Sequence, residues 1–248
     1  DPSAETTLTL DLSKVVTADD VTAILNSNQI GNTTNSTGYT FSANTSYEVG
    51  ASYFALTGIE NVTGTRFNDI ITGDANNNIL SGGTGGDDTI DGGAGSDTLS
   101  FANFAEGVTV SLGGGIVQTA FGTITYQNIE NIAGSDNDDT ITGDSNETTI
   151  LGEGGNDTLT GGSGDDTIYG GEGNDIINDA AGQNILYGDE GDDSINGGSG
   201  NDTIIGGEGS DFLDGQAGLD TVSYASNTNY VVIDLSKSSE QVNEYGSG

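Results

Sequence analysis

Aspartate recurs at nine-residue intervals in the C-terminal half of the chain, at Asp157, Asp166 and Asp175 and again at Asp193, Asp202, Asp211 and Asp220. Asp139 stands on the same register, two intervals before Asp157. The surrounding phrase is Gly-Gly-x-Gly-x-Asp-x-aliphatic-x, as in GGSGDDTIY (161–169) and GGEGNDIIN (170–178). Carboxylates held beside glycine-rich turns supply hard oxygen donors of two kinds, side-chain oxygens and exposed backbone carbonyls. That donor set suits Ca²⁺, which takes about six to eight oxygens at roughly 2.3–2.6 Å; Mg²⁺ keeps its waters and demands tighter geometry. The chain has no His and no Cys, which disfavours zinc and copper.

The overall charge asks for the same partner. Against 39 acidic residues stand Lys14, Arg66 and Lys237, for a formal charge of −36 over 248 residues. Nucleic acid and anionic membrane both require a basic face, so neither is an expected partner. Without His or Cys, and with only two lysines, there is no nucleophile–base constellation, and the chain reads as non-enzymatic. No apolar run approaches the ~20 residues of a membrane span. The N-terminus lacks the basic-then-apolar layout of a signal peptide, so an exported chain would be a fragment or would use another signal.

The elements that position the acids follow from the period. Counted in nines from Gly134, the eighth position reads Ile141, Ile150, Leu159, Ile168, Ile177, Leu186, Ile195, Ile204, Leu213, Val222. The sixth reads Asp139, Thr148, Asp157, Asp166, Asp175, Asn184, Asp193, Asp202, Asp211, Asp220. A shorter block over residues 64–100 places Asp69, Asn78, Asp88 and Asp97 at the sixth position and has one ten-residue turn near Gly85 and Gly86. Each nonapeptide is expected to be a tight turn followed by a very short strand with one inward side chain. Two nonapeptides make a coil, and coils stack at about 4.8 Å, so the longer block should give roughly 24 Å of solenoid. An inward aliphatic contributes about 1.5–3 kcal/mol, which does not offset the ordering of nine residues. Bound cations are the missing term.

The repeats resemble the RTX (repeat-in-toxin) family of calcium-binding nonapeptides over residues 64–100 and 134–223. The resemblance implies a parallel β-roll, Ca²⁺ ions held between successive coils on one edge, and type I export with folding in external calcium. It also implies a ligand role for the sixth-position acids Asp69, Asp88, Asp97, Asp139, Asp157, Asp166, Asp175, Asp193, Asp202, Asp211 and Asp220. Sorted by alternate nonapeptides, one edge of the long roll carries Asp139, Asp157, Asp175, Asp193 and Asp211. The other carries Thr148, Asp166, Asn184, Asp202 and Asp220, and its sites flanking Asn184 are expected to be weaker.

The remaining segments resemble one another. TLTLDLS (7–13), VTVSLGG (108–114) and VVIDLSK (231–237) read as alternating strands, and IENVTG (59–64) and IENIAG (129–134) each lead into a roll. Residues 17–27 (TADDVTAILNS) read as one short helix. Tyr53, Phe54, Phe101, Phe104, Phe121 and Tyr126 are expected to pack in the spacers or cap the ladder. The expected architecture is all-β: an N-terminal spacer (1–63), a short roll (64–100), an antiparallel spacer (101–133), a long roll (134–223) and the start of a further spacer (224–248). The expected function is a calcium-binding structural module of a secreted or cell-surface bacterial protein of adhesin, surface-layer or sheath type. Neighbouring modules or subunits of a surface assembly are further candidate partners. The alternatives are the secretion and folding module of an exported enzyme or toxin, and a calcium-dependent carbohydrate- or protein-binding module.

Overall fold

The computed structural model describes residues 59–225 together with the strands Thr9–Asp11, Asp20–Leu25, Phe41–Asn44 and Ala55–Leu56. The fold is an all-β parallel solenoid, and the one helical turn among the described residues is a 3-10 turn at Leu112–Gly114. No helix of the described residues is long and apolar enough to cross a membrane. The chain divides into two compact units, residues 1–103 with 114–130, and residues 104–113 with 131–248.

In the second unit the eighth-position aliphatics build two ladders, one per sheet. Ile132, Ile150, Ile168, Leu186, Ile204 and Val222 pair in sequence through parallel strands. Val110, Ile141, Leu159, Ile177, Ile195 and Leu213 do the same on the facing sheet. Partners are 18 residues apart between Ile141 and Val222, so two nonapeptides make one coil. The ladder from Ile141 to Ile204 is fully buried, while Leu213 is half-buried and Val222 is 42% exposed at the last rung. Because side chains alternate across a strand, the flanking seventh and ninth positions point outward. Tyr169 and Tyr187 meet there on successive coils, stacked 4.6 Å apart and 4° from parallel.

The first unit repeats the plan with a 19-residue step, since its third turn carries the extra residue. Ile71 pairs with Ile90 and Leu80 with Leu99, and all four are buried. Val62 and Tyr126 extend the two ladders by a rung each, paired with Leu80 and Ile90. The segment between the repeats is thus used as rungs. Thr109–Ser111 pairs in parallel with Thr140–Thr142, and Gly122–Gln127 pairs in parallel with Asp88–Asp91. An antiparallel partner, Ile116–Thr119, covers the free side of Gly122–Gln127. Of the aromatics expected here, Phe101 and Tyr126 are buried, Phe104 is half-buried and Phe121 is 66% exposed at the hairpin tip. Tyr53 and Phe54 lie outside the described residues.

The helix expected over residues 17–27 is corrected: Asp20–Leu25 is a strand. It pairs in parallel with Asp69–Thr72 and antiparallel with Phe41–Asn44. Val21, Thr22 and Ile24 are β-branched, and an unpaired sheet edge supplies a full row of backbone partners that overrides a weak capping signal.

Glycine serves different needs at different repeat positions. In several turns the second and fourth positions adopt positive φ, as at Gly171 (109°) and Gly173 (122°). The first position does not. There a Cβ would collide with other atoms: at Gly170 with Asp175 Oδ2 and the Gly188 carbonyl oxygen. The first glycine is kept for room, and what fills that room is the donor set described next.

Candidate metal centre

Each sixth-position aspartate stands where the turn enters the strand, and its two oxygens have separate duties. Oδ1 accepts the backbone N–H of the equivalent residue one coil earlier. On one edge Asp157 Oδ1 accepts from Asp139 at 2.7 Å, Asp175 from Asp157 at 2.8 Å, Asp193 from Asp175 at 2.8 Å and Asp211 from Asp193 at 3.1 Å. On the other edge Asp166 accepts from Thr148 at 2.8 Å, Asn184 from Asp166 at 2.9 Å, Asp202 from Asn184 at 2.9 Å and Asp220 from Asp202 at 3.1 Å. The row of side chains therefore ties coil to coil before any ion is considered. The short block follows the same rule, with Asp88 accepting from Asp69 at 2.9 Å and Asp97 from Asn78 at 2.8 Å.

Oδ2 is the other half. In Asp157, Asp166, Asp175, Asp193, Asp202 and Asp211 this oxygen is buried without a hydrogen-bond partner. It lies against the first-position glycine of its own turn, and in several turns the carbonyl oxygen of the first residue one coil on is crowded against the same glycine. Gly152 meets Asp157 Oδ2 and the Gly170 carbonyl; Gly188 meets Asp193 Oδ2 and the Gly206 carbonyl. An ionised carboxylate oxygen buried without a donor is costly. Burial accordingly pushes Asp157 and Asp193 up to about 7, against the pull of the backbone N–H each accepts. Asp88 is pushed up to about 8 by burial and by neighbouring Asp69 and Asp87, again against an N–H bond. Asp175, Asp202 and Asp211 are raised for the same first reason, burial.

Orphaned carboxylate oxygens beside backbone carbonyls form a donor set that fits a calcium ion. No group of three acidic side chains converges among the described residues, so carbonyls must complete each coordination shell. The ion would take over the charge that burial now penalises and would join two coils.

The expected site residues are not equivalent. Asp139 is engaged at both oxygens: Oδ1 accepts from Val108 N–H at 2.6 Å and from the Ser135 hydroxyl at 3.1 Å, and Oδ2 accepts from Ser135 N–H at 2.6 Å. Asp69 is held alike by Thr65, through its N–H at 2.5 Å and its hydroxyl at 3.3 Å. In both turns the second position is a hydroxyl residue instead of glycine, and the turn closes on its own aspartate. Asp220 closes its row half-buried.

Two acids outside the sixth-position pattern also take part. Glu130 Oε2 accepts the Asp97 N–H at 2.8 Å, doing for the end of the short block what the next aspartate would do. Its signal in the sequence is the shared Ile-Glu-Asn of residues 59–61 and 129–131. Asp179 occupies a first position and is buried, and burial together with neighbouring Asp166 raises it to about 7.

A fifth-position row runs beside the first with the opposite sense. Asn156 Oδ1 accepts from Asn174 N–H at 2.9 Å, Asn174 Oδ1 from Asp192 N–H at 2.7 Å, and Asp192 Oδ1 from Ser210 N–H at 2.8 Å.

No curated protein matches the chain. The family model of the RTX calcium-binding nonapeptide repeat matches at residues 54–87, 83–103, 126–159, 142–177, 151–186, 169–204 and 187–222, together more than half of the chain. With the 18-residue coil, the buried aliphatic ladders and the row of aspartates whose second oxygens are buried without a hydrogen-bond partner, the chain belongs to the RTX calcium-binding nonapeptide-repeat family.

Proposed function

We propose that this chain is a structural module that stays largely unfolded at low calcium and folds where calcium is abundant, outside the cell. The observation that carries the reading is the file of buried, donorless Oδ2 atoms from Asp157 through Asp175 and Asp193 to Asp211. Such a file is a liability without a cation and an adhesive with one. The parent is read as an exported surface protein of adhesin, surface-layer or sheath type, in which the repeats over 64–100 and 134–223 act as calcium-set stiff segments. The division into two compact units and the recurrence of similar strands between the repeats support that reading. The module is read as non-catalytic, since its buried acids serve coil-to-coil contacts.

Calorimetric titration of the whole chain with Ca²⁺ and with Mg²⁺ tests the binding half. Several Ca²⁺ ions per chain, with Mg²⁺ unable to replace them, is the expected result; equal replacement by Mg²⁺ would contradict it. Immunogold labelling of the producing cells tests the location, with label on the cell surface expected and label confined to the cytoplasm contradicting it.

A further inference from the structure

The nonapeptide at residues 179–187 departs from the pattern twice. It begins with Asp179, where every other nonapeptide between residues 134 and 223 begins with glycine, and its sixth residue is Asn184. The two exchanges are linked in space. Asn184 retains the coil-tying half of the role, its Oδ1 accepting the Asp166 N–H at 2.9 Å. Its other atom is a donor: Nδ2 gives a hydrogen bond to the Gly197 carbonyl at 3.4 Å, where an aspartate would present a second oxygen.

Asp179 keeps the backbone register, its N–H donating to the Asn196 carbonyl at 2.9 Å. Its side chain turns toward the preceding coil. Oδ1 accepts the Ala181 N–H at 3.0 Å, while Oδ2 has no partner in a residue 6% exposed. That Oδ2 lies against Gly161, and so does the partnerless Oδ2 of Asp166, a residue 1% exposed. At Gly143, Gly152, Gly170 and Gly188 the carbonyl oxygen of the first residue one coil on occupies this place. At Gly161 a carboxylate oxygen has taken it.

We propose that Asp166 and Asp179 together form a calcium site outside the repeating pattern, which replaces, one coil nearer the N-terminus, the site that Asn184 closes. This rests on the calcium reading of the repeats. Each carboxylate accepts an N–H at Oδ1, which favours its ionised form, while burial outweighs that pull and raises both. The two free oxygens converge with no basic side chain in the long repeat block to separate them. A hard divalent cation shared by both, completed by turn carbonyls, answers that arrangement. The edge thus keeps its charge count: the carboxylate missing from the sixth position of this repeat is present at the first.

Crystals of the whole chain grown in saturating Ca²⁺ and mapped by calcium anomalous scattering test the assignment, with Asp179→Asn as the paired variant. The expected map has a peak between Asp166 and Asp179 and none between Asn184 and the Gly197 carbonyl. In Asp179→Asn the first peak should disappear while those along Asp157, Asp175, Asp193 and Asp211 persist. Peaks along that edge with none between Asp166 and Asp179 in the wild type would overturn the site, and would show that the pair shares a proton. A peak that survives in Asp179→Asn would also overturn it. A map without calcium peaks anywhere would overturn the calcium reading itself. The wild-type map decides even if the variant does not fold.

Discussion

Asp175 accepts the Asp157 N–H through Oδ1 at 2.8 Å and leaves its own Oδ2 buried with no donor. On the calcium reading, one carboxylate performs a structural task through Oδ1 and a ligand task through Oδ2, and the two are separable by mutation. Asp175→Asn keeps an acceptor for the Asp157 amide but removes the charge. It should raise the calcium midpoint several-fold while leaving stability at saturating calcium little changed. Asp175→Ala also orphans the buried Asp157 N–H, an additional cost of about 1–3 kcal/mol. Denaturant unfolding at saturating calcium checks the difference; identical stabilities for the two variants would mean that Oδ1 ties nothing together.

The first-position glycine makes a second test. In Gly188→Ala the new Cβ would meet Asp193 Oδ2 and the Gly206 carbonyl, so the donor set would be displaced although φ there is ordinary. Calcium stoichiometry should fall by one ion. Gly113→Ala is the control, because a Cβ there meets nothing within 4 Å. An unchanged stoichiometry in Gly188→Ala would place the ion elsewhere in the turn.

Adjacent residues on one strand test the ladder. Ile177 is fully buried, whereas Ile176 beside it is 48% exposed. Ile177→Ala should cost about 2–5 kcal/mol at saturating calcium, the range for emptying a packed aliphatic site. Ile176→Ala should stay within roughly 0.5 kcal/mol, as surface substitutions usually do. Comparable losses from both would reverse the assigned inward face.

The raised carboxyls set a pH dependence of unusual sign. Without calcium, folded Asp157 and Asp193 keep their protons up to about 7, whereas an unfolded aspartate releases its proton near 3.9. Across that window the metal-free folded state binds more protons than the unfolded state, so its stability falls as pH rises from about 4 to about 7 and is level above. Asp88, raised to about 8, extends the window for the short repeat block. A disordered metal-free chain already holds ionised aspartates above about 4, so calcium-coupled folding should release few protons at neutral pH, and release should grow only as acid favours the protonated metal-free fold. Calorimetry in buffers of different ionisation enthalpy measures that release; a large release at pH 7 would show that the metal-free chain is already folded with its acids protonated.

The nine-residue period made the ladder, the 18-residue coil and the sixth-position acids legible in the sequence, because strand alternation and coil stacking both act through fixed spacing. What it could not convey lies in contacts between coils. Nothing in a single repeat tells that Oδ1 is spent on a neighbour's amide, or that Ser135 and Thr65 engage both oxygens of Asp139 and Asp69. The first glycine reads as a turn residue, yet its use is to make room for a carboxylate and a carbonyl. Asp179 reads as a blemish in a tolerant repeat until its side chain is seen beside Asp166. Val62, Val110 and Ile132 sit outside the glycine-rich phrases and still serve as rungs, because a short aliphatic strand at the right offset is all a rung requires. Residues 20–25 form a strand where a helix is expected for a related reason: a short stretch rich in β-branched residues takes its conformation from the sheet edge available to it.

The central claim is that calcium completes the fold, and a calcium titration of the whole chain followed by far-ultraviolet circular dichroism tests it most directly. In excess EGTA at neutral pH the signal should be that of a largely disordered chain. It should convert cooperatively to a β-rich spectrum as calcium rises into the millimolar range, since a ligand that binds the folded state alone draws the equilibrium toward it. A chain with the same β-rich spectrum in EGTA as in calcium would contradict the account, and would mean that the aliphatic ladders and the aspartate-to-amide rows suffice without the ion.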